Sequence, residues 1–76
     1  MALIRKFTEK RMDRNSIHKE IGATYTVFER DGRVFIQLDS YGTDGREIPG
    51  KKSQTIQLDR VGAKALHSIL KNAFDF

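Results

Sequence analysis

The chain has 76 residues, 38% of them hydrophobic, and no cysteine. Its 14 Lys and Arg outnumber its 10 Asp and Glu, giving a net charge of +4 and a pI near 9.7. One domain is all this length supports, disulfides and thiolate zinc sites are excluded, and no apolar run approaches the ~20 residues that span a membrane. A domain this small buries only about 60% of the surface its unfolded chain exposes. The core is therefore thin, and a homodimer is expected to add to it. Met1–Lys6 is too short and too charged for a secretory signal, and a cysteine-free chain suits a cytoplasmic location.

Residues 1–22 form a basic N-terminal segment. Six cations (Arg5, Lys6, Lys10, Arg11, Arg14, Lys19) face three acids (Glu9, Asp13, Glu20), which favours anionic partners at long range. Leu3, Ile4 and Phe7 fit either a short strand or a helical turn. Ile17 and Ile21 have helical spacing, but the segment equally suits a lead into the first strand.

Asp31-Gly32 lies between two β-rich runs, Thr24–Phe28 and Val34–Leu38. An Asp-Gly pair at this place predicts a two-residue type I′ hairpin, whose central residues both need positive φ. That turn sets Arg30 opposite Arg33, Phe28 opposite Phe35 and Val27 opposite Ile36. Because side chains alternate along a strand, Tyr25, Val27, Val34, Ile36 and Leu38 share one face, here called face A and expected to be core. Thr24, Thr26, Phe28, Arg30, Arg33, Phe35 and Gln37 share the other, face B, with Tyr41 in the same parity.

Residues 42–52 read as a loop, with turn residues at Gly42, Asp44-Gly45 and Pro49-Gly50 and cations at Arg46, Lys51 and Lys52. A third long strand is expected at 53–58, with Ile56 and Leu58 on face A and Ser53, Thr55 and Gln57 opposite. Asp59 is a fitting N-cap for a helix from Arg60 to about Phe74. Leu66, Ile69, Leu70 and Ala73 repeat at i, i+3, i+4 and i+7, so the helix should cover face A. The expected architecture is a single α+β domain over residues 1–76: a small antiparallel β-sheet of three or four strands at 23–58, covered on one face by a C-terminal helix in 59–76.

Little in this sequence points to catalysis. His18 and His67 have no partner at metal-ligand spacing, and no serine sits in a nucleophile elbow. The glycine-rich loop lacks the GxxxxGK[ST] spacing of a P-loop. The chain reads as a non-enzymatic binding module needing no cofactor or metal. Face B is the informative surface, since aromatic rings interleaved with cations suit base stacking and phosphate contact. The candidate binding residues are Phe28, Arg30, Arg33, Phe35, Gln37, Tyr41, Arg46, Lys51, Lys52 and Ser53. The same two rings would also suit packing under the N-terminal segment or at a dimer interface.

Pro49-Gly50-Lys51-Lys52, then Ile56-Gln57-Leu58, then the acid-capped helix with Leu66, Ile69 and Leu70, carry a resemblance. This basic loop, strand and helix resemble the positive cofactor four type of single-stranded-DNA-binding coactivators over about the last fifty residues. The resemblance implies a homodimer joined through its helices, with sheets gripping single strands. That family often carries a Trp near these strands, and this chain has none. Residues 40–58 also look like small bacterial and phage-borne proteins, a likeness that implies no activity. The expected partner is single-stranded nucleic acid. Two alternatives are a small phosphorylated nucleotide, sequestered as a phage protein would sequester a defence signal, and a protein target inhibited by docking.

Overall fold

The computed structural model describes residues 1–41 and 52–76, the side chains of residues 52 and 53 excepted. The chain runs β1 (Ala2–Ile4), β2 (Ala23–Arg30), β3 (Arg33–Tyr41), β4 (Lys52–Leu58) and α1 (Arg60–Phe74). The four strands form one sheet in the order β1-β4-β3-β2. This is the expected α+β fold. Pairing is antiparallel except that β1 runs parallel to β4, with Ala2 opposite Ile56 and Ile4 opposite Leu58.

The hairpin has the expected register: Arg30 lies opposite Arg33, Phe28 opposite Phe35 and Val27 opposite Ile36. Asp31 and Gly32 have φ of 54° and 74°, the left-handed pair that a tight hairpin requires. Between β3 and β4 the register sets Gln37 against Gln57 and Leu38 against Ile56, with an irregularity at Ser40/Tyr41. At the N-terminus, the strand alternative holds for Leu3 and Ile4. The helical alternative for Ile17 and Ile21 does not: residues 5–22 carry neither helix nor strand, and lead into β2.

The helix begins at its expected cap and spans the expected residues, Arg60–Phe74. Asp59 is extended at φ −97° and accepts the Gly62 N–H through its side chain. Asp75 closes the helix in the left-handed conformation, its N–H donating to the Lys71 carbonyl at 2.9 Å. Helix α1 packs chiefly against β3 and β4. Gly62, buried in the first turn, makes a close approach to β1 possible: a Cβ there would run into the carbonyl oxygen of Ile4 and lie 3.3 Å from the Arg5 Cα.

The core face is smaller than face A. Leu58, at 6% exposure, is the one buried hydrophobic side chain among the described residues. Ile36, Leu38 and Ile56 are half-buried. Tyr25, Val27 and Val34, expected in the core, are 72%, 60% and 55% exposed. The helix sits over β3 and β4, which leaves Tyr25 and Val27 on β2 uncovered, while Val34 lies at the hairpin end of β3, opposite Glu29.

Two glycine substitutions separate backbone from packing effects. Gly32→Val adds a Cβ that meets nothing within 4 Å, so its cost is the left-handed backbone alone, about 1–2 kcal/mol. Thermal unfolding should show that loss, and unchanged stability would contradict the turn. For Gly62→Ala, helix propensity predicts a gain of about 1 kcal/mol. The clash with β1 predicts a loss of about 1–3 kcal/mol. The second effect should win, giving a lower melting temperature.

Candidate nucleic-acid interface

Cross-strand pairing places Phe28 and Phe35 together on face B. Their rings stack with centroids 5.4 Å apart and planes 20° from parallel, an arrangement that aromatic quadrupoles favour when offset. Arg33, two residues before Phe35 and so on the same face, holds its guanidinium carbon 4.9 Å from the Phe35 centroid, within cation–π range. Both rings are half-buried rather than exposed. They cover one another, and Arg33 shields Phe35 further.

Beyond Phe35 lies a cationic cleft. Arg5, Gly32, Arg33, Asp59, Arg60 and Val61 contribute to its lining, around a volume of about 380 Å³. β1 delivers Arg5 to the cleft, the start of β3 delivers Arg33, and the helix start delivers Asp59 and Arg60. Asp59 organises the group. Its Oδ1 accepts the Gly62 N–H at 3.0 Å, while Oδ2 accepts Arg5 Nε at 2.7 Å and an Arg33 guanidinium N–H at 2.9 Å. The two guanidinium groups remain more than half exposed, whereas Asp59 is 4% exposed. With one carboxylate against three arginines, the cleft stays positive.

The Gly62 N–H holds the Asp59 carboxyl below its ordinary value. The charge of Arg5 and hydrogen bonds from Arg5 and Arg33 act in the same direction, and burial opposes them.

The middle of face B is a polar ladder across β3 and β4. Gln57 Nε2 donates to Gln37 Oε1 at 2.9 Å. Gln37 Nε2 donates in turn to both oxygens of Asp39, at 3.2 and 3.0 Å. Thr55 Oγ1 donates to Asp39 Oδ1 at 2.6 Å. Asp39 is 3% exposed, and these donors offset the cost of burying it.

Of the residues expected to bind, Phe28, Arg33 and Phe35 converge. Arg30 is exposed at the hairpin end, opposite Arg33. Gln37 belongs to the ladder. Tyr41 shares a hydrogen bond with Thr24, hydroxyl to hydroxyl at 2.9 Å. Arg46 and Lys51 lie outside the described residues, as do the side chains of Lys52 and Ser53, whose backbones belong to β4. Sequence reasoning missed Arg5, Asp39, Asp59 as an ion-pair centre, and Arg60. The Gln37-x-Asp39 and Thr55-x-Gln57 spacings held the signal for the ladder. No local spacing signals the Arg5–Asp59 pair.

Among the described residues, no three potential metal ligands cluster, and no helix is long and apolar enough to cross a membrane. The chain matches no family model, no curated protein and no solved structure.

Asp59 gives a pH prediction. A carboxyl lowered on folding contributes stability that is fully present above its unfolded value, about 3.9. That contribution disappears as pH falls through the lower folded value. Asp59→Asn keeps a cap acceptor but loses the charge. Thermal unfolding across a pH series should show the variant less stable at neutral pH, with a flatter decline below about pH 3.9. Parallel profiles for the two proteins would contradict this role.

Proposed function

We propose that the protein binds single-stranded nucleic acid. The Phe28/Phe35 pair serves as the stacking platform, and the Arg5/Arg33/Arg60 cleft seats a phosphate. One observation carries the reading: a stacked aromatic pair capped by an arginine that also lines a cleft with surplus positive charge. Single-strand binders combine these two elements, because every base has a face to stack and every nucleotide a phosphate to neutralise. The resemblance to positive cofactor four type coactivators points the same way. Arg30, at the same hairpin end, extends the basic surface.

A second reading, a single phosphorylated nucleotide in the same place, draws on the cleft volume of about 380 Å³, which lies within the range of small-molecule sites. Salt and ligand length separate the two. Binding to a strand releases several counterions and weakens steeply with salt. Binding to one nucleotide should be less salt-sensitive and gain nothing from added length.

Titration of labelled single strands at two salt concentrations tests the proposal. Phe35→Ala should weaken binding by about 1–3 kcal/mol while the hairpin stays folded by circular dichroism. Arg60→Gln, which breaks no ion pair with Asp59, should weaken all sequences alike and reduce the salt slope by about 1. Wild-type protein that binds no strand at low salt would exclude nucleic acid as the ligand.

A further inference from the structure

Asp39 sets the direction of the hydrogen bonds in the face B ladder. An ionised carboxylate only accepts, so the Gln37 amide turns its nitrogen toward Asp39 and its oxygen toward Gln57. That oxygen receives one N–H of Gln57 Nε2, which leaves Gln57 with Oε1 and a second N–H to offer. Thr55 Oγ1 has committed its proton to Asp39 and can only accept from anything further. The open end of the ladder therefore presents two acceptors and one donor.

Gln37, Thr55 and Gln57 line a cavity of about 340 Å³, whose lining Met1, Ala2 and Leu3 complete. Its size falls within the range of small-molecule sites. The strand register puts Leu3, Gln57, Gln37 and Thr26 in one row across the sheet. The Phe28/Phe35 row lies two residues away along β2 and β3, a step of about 6.6 Å. A base stacked on those rings leaves its unstacked neighbour within reach of the cavity.

We propose that this cavity is a second base subsite, which takes the edge of an unpaired cytosine or adenine through Gln57 and Thr55. The inference rests on the single-strand reading above and adds a base preference to it. Both bases carry an exocyclic amine beside a ring acceptor. The amine has two N–H groups, one for Gln57 Oε1 and one for Thr55 Oγ1, and the ring nitrogen receives the spare Gln57 N–H. Uracil and thymine offer one N–H between two carbonyls, so one of their carbonyls would be set against a protein acceptor. A site built to hydrogen-bond rejects such a mismatch, because its own polar group is left unpaired. Leu3, at 40% exposure, supplies an apolar wall for the ring.

Short homopolymers of deoxycytidine and deoxyuridine differ only along this edge, so the wild-type protein alone tests the proposal. Deoxycytidine should bind about fivefold more tightly or better, the lower end of what one good bidentate contact supplies. Gln57→Met, which keeps the length of the side chain, should abolish that preference. Equal binding of the two homopolymers, with Phe35→Ala still weakening both, would overturn the subsite and leave the stacking platform intact. A preference that survives in folded Gln57→Met would overturn it as well. Wild-type protein that binds neither homopolymer at low salt would overturn the subsite together with the single-strand reading.

Discussion

A single carboxylate ties together the end of β1, the start of β3 and the first turn of α1. Asp59 divides its two oxygens, one ending the helix's unsatisfied N–H row and the other receiving guanidinium groups from β1's end and β3's start. Burying a charge is costly without partners, and here every partner belongs to a different element. The arrangement is self-reinforcing. The helix must start at this point for the carboxylate to cap it, and β1 must dock beside β4 for Arg5 to reach that carboxylate. Gly62 makes the docking possible, because its missing Cβ lets the first helical turn meet the Ile4 carbonyl.

The two faces of the sheet are stabilised by different means. Face A relies on hydrophobic burial and has little of it: Leu58 is covered, but the β2 side is not. Face B relies on polar satisfaction. Its Gln57–Gln37–Asp39–Thr55 ladder and its stacked rings lock β3 to β4 and β2 to β3. Such ladders specify register well, because a one-residue slip would leave every donor facing the wrong way. The surplus charge stands at the end of face B, where the cleft also exposes guanidinium groups.

Local chemistry was legible in the sequence, and lateral placement was not. Asp31-Gly32 determines a hairpin because only a few residue types accept two positive φ values in a row, and the register follows by counting. Asp59 and the apolar stripe likewise delimit α1. What alternation cannot show is where a helix lies across the width of a sheet, so Tyr25 and Val27 alternate like core residues although the core stops short of β2. Nor can it show that Arg5 reaches Asp59, since that pair depends on a parallel strand pairing distant in sequence. At the candidate site, the Phe28/Phe35 pair followed from the hairpin alone. The arginine cleft needed three elements in place, and its Arg5 and Arg60 had no local signal.

The parallel pairing of β1 also constrains how the chain comes to be made. Ala2 lies opposite Ile56, so the first of the four strands to be synthesised has its partner more than fifty residues downstream. Until β4 and the first turn of α1 have left the ribosome, residues 2–4 have no edge to join, and Arg5 has no carboxylate to meet. The hairpin, built from neighbouring residues, can close much earlier, as local contacts generally do. The β2–β3 pairing can therefore form before β1 has an edge to join, and the sheet is completed at β1 only after β4 has been made.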